Sequence, residues 1–509
     1  MSFRLVATPL HAPMRRPAER QDAIASAVAA AIIPAAGTGP ALERLRAPGA
    51  LTVTTGQQPA LFLGPLYTLH KALSAAALAA ALEARWQRPV VPVFWLAGDD
   101  HDWEEARSAA WIGDRGGLET ASLRHRPASA PMAPLARELL GPEVADALRR
   151  FSETTGQSAT GRDVVELLAR HFQPSATVSA AVGGAIAELL APLGILVLDS
   201  THPAFKQAAA PFLLEALAQS RRLNAALNTR HAELLAAGRD PGVAPDDAAT
   251  LVMLDGEGGR DRLLLTDGGY RLRRARSPLS QSEIEGIAER EPMRLSANVL
   301  LRPVLESRLL ASVAYCAGPG ELRYLALARA TFDVMGVPRP APVPRWSGII
   351  VDSYVDRVAD RFGVSLAELT DPAINVLNRA VRDRLPEPVV DALRRLREVS
   401  DTTLGELARQ AETLDPTLVR SAQGSARRVD FEAGKIERRF VRNLKRRHAI
   451  ELSQLERART AVLPGGKPQE RVISLAGALA QHGRPLMASV LEAAADFYRT
   501  ALEGSPAPA

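Results

Sequence analysis

Residues 51–102 read LTVTTGQQPALFLGPLYTLHKALSAAALAAALEARWQRPVVPVFWLAGDDHD, and this stretch decides the fold. It opens with Leu51-Thr-Val-Thr-Thr55, β-branched and followed at once by Gly56, which is a strand signature. From Leu66 to Trp86 the composition turns helical, with apolar residues at Leu66, Leu69, Leu73, Ala76 and Ala77. Val90–Leu96 (VVPVFWL) is then apolar throughout. A continuous apolar run suits a strand covered on both faces, hence a parallel sheet. Strand, loop, helix and strand in about 45 residues make a βαβ unit with a right-handed crossover.

Outward from this unit, further strands are expected at Ile195–Asp199, Leu251–Leu254, Leu263–Thr266 and Ser312–Cys316. Helices are expected at Pro134–Arg150, Asp163–His171, Ala180–Leu190 and Ala204–Ala236. The Gly-rich Asp255–Arg260 makes the pair at 251–254 and 263–266 a small hairpin rather than core sheet. The pattern predicts an open α/β domain over residues 1–385, with insertions at about 131–190 and 204–295. After Pro386 and Pro388 the chain changes character. Leu393, Leu407 and Leu414 share a seven-residue phase, as do Val429, Ile436 and Ile450, with Ser400 and Asn443 in the polar slots. Asp415-Pro416 breaks the run, so 386–463 reads as an antiparallel helical hairpin or coiled coil that ends at Pro464-Gly465-Gly466. Residues 464–509 read as helix again, packing back on the core.

The 509 residues are ample for several domains, and 47% apolar with 23% charged is the globular norm. The net charge of +5 is uneven, because Arg427–Arg459 carries eleven Lys/Arg against five Asp/Glu. A basic patch on one helical segment does not make the main body a nucleic-acid binder, and no nucleic-acid partner is expected. Aromatic interleaving there is limited to Phe431 and Phe440, which weakens an RNA reading further. The lone Cys316 excludes an internal disulfide framework and points to a reduced, cytoplasmic setting. No run of 18 strongly apolar residues occurs, so no membrane span is expected. Ala23–Ile33 reads as a helix ended by Pro34 rather than a secretory segment, since Glu19 and Asp22 stand at its head.

Four places carry chemistry. The first is Gly56-Gln57-Gln58 with Gly64, Tyr67, His70 and Lys71, where a loop at the carboxyl end of a strand opens a helix. A helix end there presents unpaired N–H groups and a positive dipole to an anion. Neither the phosphate-loop nor the dinucleotide glycine pattern is present. The second is Asp99-Asp100-His101-Asp102, directly after Val90–Leu96. Three carboxylates crowded together need a cation, a substrate amine or a hydrogen-bond network. His101 is a candidate general base there, and Mg²⁺ beside a nucleotide is a second use of the acids. A plain acidic turn capping the next helix through Asp102 or Asp99 is the bland alternative. The third is Asn298 and Arg302 with Gly318-Pro319-Gly320-Glu321, offering a planar guanidinium to a carboxylate or phosphate. The fourth is Gln469-Glu470-Arg471. Cys316 is read as packing, the glycines at 256–259 as turns, and the remaining histidines show no metal-ligand spacing.

Taken together, TTGQQPALFLGPLYTLHK, VVPVFWLAGDDHDWEEA, NVLLRP with AGPGELRYL, and PGGKPQER resemble the BshC family of bacillithiol-biosynthesis cysteine ligases over essentially the whole chain. The resemblance implies a Rossmann-like core related to nucleotidyltransferases, with connecting insertions and a coiled coil that makes a homodimer. It also implies that cysteine is joined to the amine of glucosaminyl-malate in the last step of the pathway. Such an amide needs an activated carboxylate, most simply from ATP, leaving ADP or AMP. On that reading Gly56, Gln57, Gln58 and the helix carrying Lys71 hold anionic groups. His101, oriented by Asp100 or Asp102, takes the ammonium proton, and Asn298 and Arg302 grip the malyl carboxylates. Two alternatives stay open: a nucleotidyltransferase acting on another small acid, and a non-catalytic nucleotide-binding scaffold.

Overall fold

The computed structural model describes residues 2–5, 24–274 and 278–503. Five parallel strands form the central sheet: β1 (Leu51–Gln57), β2 (Val90–Leu96), β3 (Leu196–Asp199), β4 (Ser312–Ala317) and β5 (Ala341–Pro344). Their order is β5-β4-β1-β2-β3, every neighbouring pair parallel. This is the doubly wound arrangement of a Rossmann-like sheet, and its direction of winding reverses between β1 and β4. All seven residues of β2 are buried, as its unbroken apolar run requires. Val91, Val93 and Trp95 face a cluster with Phe205, Ala209 and Leu213. The alternate residues face the other layer.

That other layer is the helix Tyr67–Trp86, in which even Thr68, His70, Lys71 and Ser74 are buried. Its alanines let the sheet and the C-terminal helix Pro485–Glu503 approach it from both sides. A helix buried this completely belongs to a core rather than a surface. Truncating Leu73 or Leu82 inside it should cost roughly 2–5 kcal/mol.

The hairpin expected at 251–266 forms, but as the centre of a second sheet. That sheet has five strands in the order 278–279, 269–272, 259–266, 249–256 and 295–297. Two helix expectations are corrected. Residues 134–142 are not helical, and the helix starts at Glu143, after Gly141 (φ +77°) and Pro142. The freed segment instead donates Leu135 N–H to Asp100 O and Ala136 N–H to Gly98 O, clamping the loop after β2. Ala204–Ala236 is two helices, Pro203–Ala218 and Ser220–Ala236. They part at Gln219, where the Ser220 hydroxyl bonds back to Ala216 O and Leu217 O. The helix expected at Ala23–Ile33 is Ser26–Ala30, and residues 6–23 lie outside the described residues.

The described residues divide into two units, one drawn from 4–349 with 470–503 and the other from 2–3 with 350–469. The helical unit thus begins near residue 350 rather than at 386. Pro386 and Pro388 mark a helix start, with Pro386 at the N-cap, and not a domain limit. The helices Ser353–Phe362 and Val376–Arg382 pack on its later helices, and Arg459 donates to Asp371 O and Ile374 O. The hairpin itself is Glu387–Leu414 against Pro416–Arg447, with Asp415 capping the second helix through Thr417 N–H. Its heptad seam is only partly inward. Leu393 is buried, whereas Leu407, Leu414, Ile436 and Ile450 are exposed. Among the described residues no helix is long and apolar enough to cross a membrane.

Candidate active site

β1 runs into Gly56-Gln57-Gln58 beside β2. A Cβ on Gly56 would lie 2.7 Å from Trp95 O, so only glycine lets the two strands close up there. Gln57 Nε2 donates to the Tyr67 hydroxyl at 3.1 Å, and that hydroxyl sits 3.4 Å from Glu105 Oε1. Lys71 Nζ donates to Gly56 O at 2.8 Å and Gln57 Oε1 at 3.0 Å, and pairs with Glu321 Oε2 at 2.7 Å. Burial, with Glu321 opposing it, pulls the Lys71 pKa down. Lys71 is therefore a neutralised cation in the floor rather than a loose charge awaiting an anion. The helix end it follows is partly occupied, since Leu66 N–H donates to Ile473 O and Thr68 N–H to Pro65 O, which takes up two of the amides on which the expected anion site relied.

After β2, the acids separate. Asp99 Oδ1 meets Lys206 Nζ at 2.5 Å, and Lys206 also donates to Leu295 O. Asp100 Oδ1 accepts the N–H groups of His101 and Asp102. Asp102 caps the short helix Trp103–Ala106 through Glu105 N–H. Among the described residues no carboxylate hydrogen-bonds the His101 ring, contrary to the orientation expected from Asp100 or Asp102. The group beside it is Arg260, whose Nη1 lies 3.4 Å from Nδ1. Burial first and Arg260 second lower the His101 pKa, so the neutral ring is favoured. Among the described residues no three His, Cys, Asp or Glu side chains gather to hold a metal ion. Asp99 and Asp100 each have one oxygen engaged, by Lys206 and by backbone N–H groups respectively.

Behind β4 lies a buried network. Arg302 pairs with Glu306 at 2.5 Å and donates to the hydroxyls of Tyr315 and Tyr324. The Tyr315 hydroxyl donates to Glu321 Oε1, whose other oxygen accepts Gly318 N–H. Burial, resisted by Arg302, pushes Glu306 up to about 7. Glu321 is held low: burial works against its charge, and Lys71 more than compensates. Asn298 Oδ1 accepts the N–H groups of Leu300 and Leu301 ahead of the helix Arg302–Leu310. Both proposed carboxylate grips are thus engaged within the fold.

These pieces surround one cavity of about 1080 Å³. Gly56, Gln57, Gln58, Tyr67, Lys71, Asp99, Asp100, His101, Asn298, Arg302, Gly318, Gly320, Glu321 and Arg471 all line it. It opens from the β1–β4 reversal point, the crevice where open α/β sheets bind ligands, to the inserted antiparallel sheet. Nine Lys/Arg line it against six Asp/Glu. Gly64, Asp102, Gln469 and Glu470 do not line it. Gly64 only turns the chain, at φ +69°. Gln469 bridges Ile350 and Ala461 within the helical unit. Glu470 is gripped by Arg345 at 2.6 and 2.8 Å, by Ser347 and by His70 Nδ1.

The model of the N-terminal Rossmann-like domain of bacillithiol biosynthesis BshC matches residues 19–346, and that of its C-terminal coiled-coil domain matches 348–499. The chain belongs to the BshC family. Three curated relatives carry the name "Putative cysteine ligase BshC". The Solibacter usitatus protein is 30% identical over 89% of this chain and 84% of its own. The Salinibacter ruber protein is 31% identical over 85% and 79%. The Symbiobacterium thermophilum protein is 30% identical over 87% and 82%. As a BshC the chain is an enzyme of bacillithiol biosynthesis, a ligase that forms a carbon–nitrogen bond.

The sequence reading missed Lys206, Arg260, Glu105 and Arg345, all of which line the cavity. Lys206 is one of only five lysines in the chain, and that rarity was a usable signal. Arg260 follows the glycines assigned to a turn, and its meeting with His101 joins residues 159 positions apart in the chain.

Proposed function

We propose that this cavity joins cysteine to the amine of glucosaminyl-malate in the last step of bacillithiol biosynthesis, with ATP activating the cysteine carboxylate. The observation that carries the reading is the convergence of the Gln57 and His101 loops, from two adjacent strands, on one cavity with a cationic excess. Both amide partners and the phosphates bear carboxylate or phosphate charge, and an excess of guanidinium groups suits them. The volume also accommodates small polar substrates side by side. ATP is held through cationic side chains, because neither glycine-rich nucleotide-loop pattern is present in the sequence. When bound, it would turn one carboxylate oxygen of cysteine into a leaving group on the acyl carbon.

The chain's own residues bind, orient and shield. Arg262, Arg273 and Arg471 offer cations to the anionic substrates, replacing the part first given to Asn298 and Arg302, while Arg260 and Arg274 are held by Ser296, Ala297 and Asp261. Lys206 fixes Asp99 and so the whole loop that carries His101. Two copies pair through the helical hairpin, whose exposed Leu407, Leu414, Phe431, Ile436 and Phe440 call for a cover. The test is mass spectrometry of the full-length protein with cysteine, glucosaminyl-malate and ATP. The cysteinyl amide should form together with AMP or ADP. Nucleotide transfer without cysteine incorporation would favour a nucleotidyltransferase instead.

A further inference from the structure

A guanidinium has donors and no acceptor. Arg260 Nη1, 3.4 Å from His101 Nδ1, therefore meets that nitrogen's lone pair, which leaves the ring proton on Nε2. Arg260 is not free to withdraw, because Nε donates to Ser296 Oγ at 2.9 Å and Nη2 to Ala297 O at 2.7 Å. A proton placed on Nδ1 would set an imidazolium against a fixed guanidinium, with Arg126 also close at hand on the His101 carbonyl. His101 is built to donate, not to accept.

A different acceptor lines the same cavity. Glu105 stands at its mouth on the short helix that Asp102 caps, and it was not among the residues singled out from the sequence. It ends a chain of contacts running Lys71–Gln57–Tyr67–Glu105 along the cavity wall. Asp100 and Asp102 face it from its own loop, and Tyr67 and Gln58 from the loop and helix after β1. We propose that the Glu105 carboxylate takes the ammonium proton of the amine substrate, while His101 acts as a neutral hydrogen-bond donor through Nε2–H. This deepens the ligase reading above and rests on it.

The step balances simply. An N–H bond of the ammonium breaks, an O–H bond forms on Glu105, and the electron pair stays on nitrogen. That pair then forms the C–N bond as the carbonyl carbon releases its leaving oxygen, which keeps its bonding pair and receives the nitrogen's second proton. Partial burial, then Asp102 and Asp100, raise the Glu105 pKa, which brings it nearer to that of the amine it must deprotonate.

The experiment measures amide formation against pH for the full-length wild type, E105Q, H101Q and H101A, with thermal melts to confirm folding. E105Q should lose about 10²-fold or more near neutral pH. Its deficit should narrow by roughly tenfold per pH unit as the free amine becomes available without help, the mass-action factor for one proton. H101Q keeps a donor and should retain far more activity than H101A. A folded E105Q within about threefold of wild type at every pH overturns the proposal, as does a deficit that does not change with pH. A deficit in H101Q that closes as pH rises would make His101 the base and also overturn it. Absence of amide from wild type would instead strike the ligase reading, and this step with it.

Discussion

Two glutamates sit at the heart of two buried clusters, and they do different work. Glu321 holds Lys71, Tyr315 and Gly318 N–H, and its cluster forms a wall of the cavity. Glu470 holds Arg345, Ser347 and His70, and it does not line that cavity. Each is a carboxylate pulled below its usual pKa: burial resists the charge, and cations or hydrogen bonds overcome it. Both are preceded in sequence by a glycine-proline or glycine-glycine turn, and residue type alone does not separate them. What separates them is which side of the parallel sheet's carboxyl edge the acid reaches. Glu470 fastens the C-terminal segment to the core, so that its neighbour Arg471 enters the cavity.

The largest effect expected from breaking this comparison is on the fastening cluster. Glu470→Ala leaves the buried Arg345 guanidinium without its bidentate partner and should destabilise by about 3–5 kcal/mol, read by urea unfolding. Its pH signature has a definite sign. A lowered folded pKa means that stability is present above the ordinary glutamate range and is lost as pH falls through and below it, and Glu470→Gln should flatten that acid loss.

Lys71→Met should act on both counts, leaving Glu321 unpaired in the cavity wall. About 3 kcal/mol of stability and most of the amide-forming activity should go together. A variant that unfolds easily but still turns over at full rate when folded would place Lys71 with the fasteners. Glu306 gives a smaller effect of opposite sign. Its pKa rises to about 7, so its contribution is fully present below the unfolded value and is lost as pH climbs through 7. Glu306→Gln should remove that alkaline loss in unfolding curves taken between pH 5 and 8. The smallest effect is Asp102→Ala, where losing the cap of Trp103–Ala106 should cost about 1 kcal/mol. Apart from these, the proposed pairing of two copies through the hairpin expects a dimer in sedimentation that Phe431→Glu with Ile436→Glu, both at exposed apolar positions, converts to monomer.

The parallel sheet was legible because β2 is apolar at every position, and only a strand covered on both faces tolerates that. The loops after β1 and β2 followed from the same rule, since their place at the carboxyl edge depends only on strand direction. The individual roles were not legible. Asp99 cannot be seen to meet Lys206, nor His101 to meet Arg260, because each pairing spans more than a hundred residues and depends on insertions whose packing no local pattern encodes. The helix at 134–142 failed for a local reason that was visible: Pro134, Gly141 and Pro142 bracket it. The domain limit failed because prolines suit a helix's first turn as well as a linker. The heptad phase located the hairpin but not which of its faces its own partner helix covers.

The most direct test of the account is a structure of the protein with the cysteinyl amide product bound. Density for the product should lie in the cavity, with its new amide near His101 and Glu105 and its malyl carboxylates among Arg262, Arg273 and Arg471. Product bound outside that cavity, with those side chains untouched, would contradict the account.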